Sequence, residues 1–155
     1  MGSALECIIL IGLPAAGKST FYRDKFAKSH VHISKDLWPN AGDREGRQQK
    51  LLEETLALGK SVAIDNTNST VAERARIIRT AIDHGARVVG YFFDVSTRAA
   101  VARNAARTGR SKVPNVAIFT TAKRLQPPKL AERFDELFRI ELAEDRSFRV
   151  TKVSE

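Results

Sequence analysis

The chain has 155 residues, 43% apolar and 28% charged, a length that suits one compact domain and a balance typical of soluble globular proteins. Neither a fibre nor a disordered tail has that composition. The longest uncharged apolar stretch, 7–17, is interrupted by Gly12 and Pro14 and falls well short of the ~20 residues a membrane span requires. No basic segment followed by a long apolar core opens the chain, so no secretory leader and no membrane partner are expected. The expected location is cytoplasmic, and the expected state a monomer or weak dimer. The single cysteine, Cys7, excludes an intrachain disulfide framework and a Cys-based zinc site. Lys and Arg total 26 against 18 acids. The whole excess lies in 95–131, which holds no acid but eight bases: Arg98, Arg103, Arg107, Arg110, Lys112, Lys123, Arg124 and Lys129. A one-sided basic block of this kind suits a polyanionic ligand such as a nucleotide or nucleic acid, or else a solubilising surface.

Strand-like and helix-like segments alternate along the whole chain. Glu6-Cys-Ile-Ile-Leu-Ile11 is a short β-branched run ending at glycine, as a buried parallel strand reads. A helix is predicted over 17–28, a second strand over 31–34, a helix over 47–58 stopped by Gly59, and a third strand over 61–65. Thr70-Val-Ala-Glu73 has capping-box spacing. It opens a helix whose apolar stripe is predicted as Val71, Ala75, Ile78 and Ile82. A fourth strand is predicted over 86–95, then a helix over 97–108, a basic loop over 109–114 and a helix over 115–124. Gln126-Pro-Pro breaks the chain, and 137–142 is the candidate fifth strand. The last ten residues receive no assignment. This order predicts a single α/β domain over 1–155, with a parallel sheet of about five strands and helices on both faces. Ligands in such sheets sit beyond the carboxyl ends of the strands, here just after Ile11, Ser34, Asp65 and Val95.

Gly12-Leu-Pro-Ala-Ala-Gly17-Lys18-Ser19 matches G-x-x-x-x-G-K-[ST] between a strand and a helix. Its glycines allow successive amides to face a phosphate chain, and the helix N-terminus adds partial positive charge. Gly12, Ala15, Ala16, Gly17, Lys18, Ser19 and Thr20 are therefore candidates for holding ATP or another NTP. Lys18 would reach the β- and γ-phosphates, and the Ser19 hydroxyl would ligate Mg²⁺. Asp43-Arg-Glu-Gly46 matches a D-x-x-G switch motif in letters only, because no strand precedes it and no Asn-Lys-x-Asp motif follows. A small phosphotransferase fits better. It needs a carboxylate at the acceptor hydroxyl and cations over the migrating phosphoryl group. Asp36, after the second strand, is the candidate base. Arg103 and Arg107, four apart on one helix face, resemble part of a basic lid over 103–114.

The blocks from Gly12 to Phe21, His32-Ile-Ser-Lys-Asp36 and Ala63-Ile-Asp-Asn-Thr-Asn68 resemble the kinase module of polynucleotide 5′-hydroxyl kinases, a P-loop kinase fold. Arg103-Asn, Arg107 and Val113-Pro114 fall in the order of that family's lid. Kinase-phosphatase members show a stretch similar to Pro127-Pro-Lys-Leu-Ala-Glu-Arg-Phe134. The likeness covers about 6–142 and is to a free-standing kinase domain.

The resemblance implies ATP and Mg²⁺ at Lys18 and Ser19, with Asp65 ordering the metal's water shell. It implies Asp36 as general base and Arg107, with Arg103, on the donor phosphates. Thr67 and Asn68, with Lys35 beside the base, would meet the acceptor, a 5′-OH end of DNA or RNA. Lys35 and Pro39 depart from the family, which often has arginine before the catalytic aspartate and, in some members, an acceptor-binding arginine three residues after it. Arg44 or Arg47 could substitute. Trp38 is a candidate to stack on a terminal base or to pack. The histidines and Cys7 receive no functional part. The alternatives are a kinase of a small-molecule hydroxyl (sugar, nucleoside, antibiotic or toxin-like sugar-nucleotide kinase) and a non-catalytic nucleotide-binding adaptor.

Overall fold

The computed structural model describes residues 4–143, 145 and 147–154, with only the backbone described at Arg110. Met1-Gly2-Ser3 lie outside the described residues. Six strands form one sheet: β1 Glu6–Ile11, β2 Val31–Ile33, β3 Val62–Asp65, β4 Arg87–Phe93, β5 Glu136–Leu142 and β6 Phe148–Lys152. They lie in the order β2-β3-β1-β4-β5-β6. The first five are parallel, and β6 returns antiparallel along β5. The five parallel strands match the sequence expectation. The sixth escaped it because β6 is an edge strand with four of its five residues exposed, so it lacks the apolar signature of the others.

Side chains alternate across a strand, so one sheet builds two cores. On one face Cys7, Ile9, Ile11, Ile33 and Ile64 pack with Leu52, Leu56, Ile77, Ile78 and Ala81. These last come from helices α2 (Arg44–Ala57) and α3 (Val71–Asp83). On the other face Ile8, Leu10, Val89 and Phe93 pack with Phe21, Ala100 and Ile118. Those belong to α1 (Lys18–Lys25), α4 (Thr97–Ala105) and α5 (Asn115–Arg124). Phe148 anchors β6 to this side, edge-on to Phe21 at 5.5 Å and to Phe93 at 6.0 Å. No helix among the described residues is long and apolar enough to cross a membrane.

Helix α3 corrects the predicted stripe. Val71 and Ala75 face solvent, and the buried row is Arg74, Ile77, Ile78 and Ala81. The period is right but its phase is shifted, because an arginine occupies a core position. Arg74 is fully buried. Its Nε and Nη2 donate to the two Glu132 carboxylate oxygens at 2.8 and 3.0 Å, and Nη1 donates to the Asn68 carbonyl at 2.9 Å. A buried charge is tolerated only when paired and bonded in this way. Thr70 caps the helix as expected, accepting from the Glu73 amide at 3.2 Å. The return bond goes from the Ser69 amide to the Glu73 carboxylate, at 3.2 Å, rather than from Thr70 itself.

Because removal of one partner strands the other charge, Arg74→Ala is expected to lower unfolding free energy by about 3–5 kcal/mol. Urea denaturation checks this, and the double variant with Glu132→Ala should cost less than the two singles summed.

Candidate active site

Neighbouring strand tips assemble the site. Beyond the buried Ile11, the Gly12 amide donates to the Thr67 carbonyl at 3.0 Å, tying the loop after β1 to the loop after β3. The loop then runs through Ala15 (φ 64°) and Gly17 (φ 102°) into α1. At Gly17 a Cβ would lie 2.9 Å from the Phe148 ring, so glycine is required by space as well as by dihedral. No side chain caps α1, and its first amides are left for an anion.

Lys18 is 7% exposed and lies across the loop. Its Nζ donates to the Gly12 and Leu13 carbonyls at 3.0 and 2.6 Å. Burial lowers the ammonium from 10.5 to about 8, and Arg107 adds to this, while the charges of Asp65 and Asp36 oppose it.

Asp65 ends β3, level with Leu10 of β1, and is almost fully buried. The Ser19 hydroxyl donates to its Oδ2 at 2.6 Å, and His32 Nε2 lies 2.8 Å from the same oxygen. Burial alone would push this carboxyl up. The two hydrogen bonds and the Lys18 charge outweigh burial and hold it below the usual range. Ionised, Oδ2 can only accept, so both Ser19 and the imidazole Nε2 are donors. A serine whose proton is directed at Asp65 keeps its lone pairs for a cation.

Ser19 and Asp65 are therefore hard oxygen donors that fit Mg²⁺, which keeps several waters and binds through few protein groups plus substrate phosphates. The described residues contain no cluster of three or more His, Cys, Asp or Glu side chains able to hold a metal, so an all-protein cage is not on offer.

Asp36 lies in a 3-10 turn, Lys35–Leu37, capped by the Ser34 hydroxyl, which accepts from the Asp36 amide at 3.3 Å. Its exposed side chain lines the same cleft, of about 1430 Å³, as Lys18, Ser19, Thr20, Lys35, Asp65, Thr67, Arg103 and Arg107. In the segment predicted as a lid, Arg103 Nε donates to the Ala15 carbonyl at 3.0 Å, and Arg107 Nη1 to the Ser111 carbonyl at 2.9 Å. Burial and the neighbouring Arg103 charge push the Arg107 guanidinium below its usual value, with Asp36 and Asp65 opposing. Asn104, 1% exposed, fixes the loop by donating to the Val113 carbonyl at 2.6 Å and accepting from the Val113 amide at 3.0 Å.

Five candidates do not line the cleft: Gly12 and Gly17, which bend the loop behind it, and Trp38, Asn68 and Ala16. Trp38 packs against the core under α2, with the Arg47 guanidinium 4.8 Å over its ring. Asn68 is buried, with its amide on the Leu10 carbonyl at 2.7 Å, and Ala16 is fully enclosed. The Arg110 side chain lies outside the described atoms.

Conversely, the structure adds residues that the sequence reading missed. His32 bonds Asp65. Asn66 accepts from the Lys35 amide at 2.9 Å. Arg124 lines the cleft beside Lys35 and Arg44, its Nε donating to Ser69 Oγ at 3.1 Å. His32 and Asn66 sit inside the motif blocks, but no spacing rule distinguishes them. Arg124 had shown only as part of the basic block.

With this geometry in place, relatives can be compared. A family model described as an AAA domain, of the P-loop kinase type, matches residues 7–128. The chain belongs to that family. This AAA domain is 26% identical over 133 residues to a bifunctional polynucleotide phosphatase/kinase of Schizosaccharomyces pombe, covering 83% of the chain and 32% of the relative. It spans a third or less of the length of the curated relatives it matches.

Among solved structures it superposes on a fungal RNA kinase with a TM-score of 0.67 at 18% identity, over 92% of this chain and 40% of that one. A gluconokinase from Sinorhizobium meliloti 1021 superposes with a TM-score of 0.65 at 19% identity, over 90% of this chain and 83% of that one. Both share the fold. A P-loop kinase fold implies a nucleotide-binding phosphotransferase.

A phosphate chain seated on Lys18 favours its ammonium form, so binding above pH 8 must be accompanied by proton uptake. Calorimetry of ADP in buffers of different ionisation enthalpy is expected to show affinity flat below pH 8. Above it, affinity should fall by up to about tenfold per pH unit. Lys18→Met should abolish the proton uptake.

Proposed function

We propose that this domain transfers the γ-phosphoryl group of ATP to the 5′-OH end of DNA or RNA. The observation that carries the reading is the placement of Asp36 and Lys18 in one cleft whose lining cations (Arg23, Lys35, Arg44 and Arg124 among them) outnumber its acids. Such an excess suits an acceptor that is itself a polyanion. The kinship with polynucleotide phosphatase/kinases points the same way.

In this reading the loop amides and Lys18 hold the β- and γ-phosphates, and Arg107 and Arg103 stabilise charge as it develops on the migrating group. Mg²⁺, held through Ser19 with Asp65 ordering its waters, would supply further charge neutralisation when bound. Asp36 orients the 5′-hydroxyl and accepts its proton. The 5′-oxygen forms a bond to the γ-phosphorus, the bond from γ-phosphorus to the β,γ-bridging oxygen breaks, and ADP leaves. Thr67, Arg44 and Arg124 meet the acceptor's own phosphates. Arg44 lines the cleft while Arg47 is engaged on Trp38, so Arg44 takes the part that Pro39 leaves open.

The test is labelled-phosphate transfer to 5′-OH oligonucleotides, with KM measured against salt. Transfer with a steep salt dependence is expected. Protein that binds ATP yet labels no DNA or RNA end, but phosphorylates a sugar or nucleoside with a flat salt response, would replace this reading with the small-molecule kinase. Asp36→Asn should lower kcat by about 10²–10⁴-fold while leaving ADP affinity unchanged. No change in transfer would point to a non-catalytic adaptor.

A further inference from the structure

Asp65 makes both of its side-chain bonds through one oxygen. Ser19 and His32 converge on Oδ2, and Oδ1 makes no hydrogen bond among the described residues. Among the described residues no buried side-chain polar atom is without a partner, so Oδ1 keeps some exposure, in a residue that lines the cleft.

The imidazole that clamps Oδ2 is itself held. The Tyr22 ring stacks on His32 with centroids 4.3 Å apart and planes 19° apart. Tyr22 in turn donates its hydroxyl to the His30 carbonyl at 2.6 Å. Ser19 and Tyr22 are three apart on α1, so they share the helix face turned toward β2 and β3. One helix turn therefore supplies a direct donor to Asp65 and the platform beneath the second donor. A carboxylate on a strand end, with one bond from Ser19 alone, could rotate about its terminal torsion, which is broad and weakly restrained. Two donors from different directions remove that freedom.

We infer that His32 is a positioning residue for the phosphotransfer site: through its Nε2–H it locks the Asp65 carboxylate so that Oδ1 faces the water shell of the nucleotide-bound Mg²⁺. The inference rests on the assignment of Ser19 and Asp65 to the metal and not on the identity of the acceptor. Its test uses no acceptor, so it stands or falls separately from the 5′-hydroxyl reading. Outer groups that orient a metal-site ligand typically change metal affinity or activity by about 10–100-fold when removed.

The measurement is ADP binding by calorimetry with and without Mg²⁺, taking the ratio of the metal-free Kd to the Kd with Mg²⁺. His32→Phe keeps a ring on Tyr22 and removes the donor. It should lower the ratio about tenfold while leaving the metal-free Kd unchanged. Asp65→Asn should lower the ratio similarly, and the double variant no further than either single, since His32 acts through Asp65. His32→Gln, which restores an N–H donor, should hold the ratio within about threefold of wild type, in line with rescue of an outer-group contact.

In the metal-free protein, nitrogen NMR should find His32 as the Nε2–H tautomer. If His32→Phe does not fold, His32→Leu is read the same way. The inference is overturned by a ratio unchanged on loss of the donor, by equal weakening with and without Mg²⁺, by additive effects in the double variant, or by an Nδ1–H ring.

Discussion

A single ionised carboxylate, buried where two parallel strands end, holds the donor side of this domain together. Asp65 would be costly at that depth on its own. It is tolerated because Ser19, His32 and the Lys18 charge surround it, and it in turn offsets part of the cost of burying Lys18. Helix α1 contributes Lys18 and Ser19, strand β3 Asp65 and edge strand β2 His32, so the relative position of three elements is specified by a few short polar contacts. The apolar cores on the two sheet faces give those elements their stability. The polar cluster gives them their register at the cleft.

Around that centre the structure builds support for loops that would otherwise be free. The segment carrying Thr67 is pinned from below by Asn68, whose amide holds the ends of β1 and β3 and whose backbone adopts φ 45°. Arg74 grips the Asn68 carbonyl. From the side, Gln126 and Arg124 bind Ser69, and Gln126 also accepts from the Val71 amide at 2.7 Å. On the opposite wall Asn104 shapes the basic loop. The side chains on these loops are thereby held in place by bonds outside the cleft.

The cleft lining is mixed: Ala99, Ala102, Ala106 and Leu142 contribute apolar surface, and Lys35, Arg44 and Arg124 form a charged group. In the latter, Lys35 pairs with Glu45 and is shifted below its usual value, by burial first and then by the nearby Arg44 and Arg124 charges, with Glu73 opposing. Cations pressed together in this way are stabilised by an incoming anion. Part of the chain's net positive charge, seven lining bases against four lining acids, is gathered in the cleft.

Local and periodic features were legible in the residues themselves. The β-branched runs, the glycine-framed loop after β1 and the Thr70 cap depend on neighbours within a few positions, so the parallel α/β order could be read directly and the loop's candidate residues could be named. What required the tertiary structure were properties set by contacts distant in the chain. Arg74 reads as a surface residue until Glu132, 58 positions away, pairs with it, and that pairing moved the buried face of α3. Trp38 and Asn68 carry chemistry suited to a ligand, yet packing under α2 and a carbonyl of β1 claim them. His32 had no apparent part until β2 docked beside β3 and brought its ring to Asp65, 33 positions on. Hydrogen bonding and burial across such separations are properties of the assembled sheet, and no periodicity along the chain encodes them.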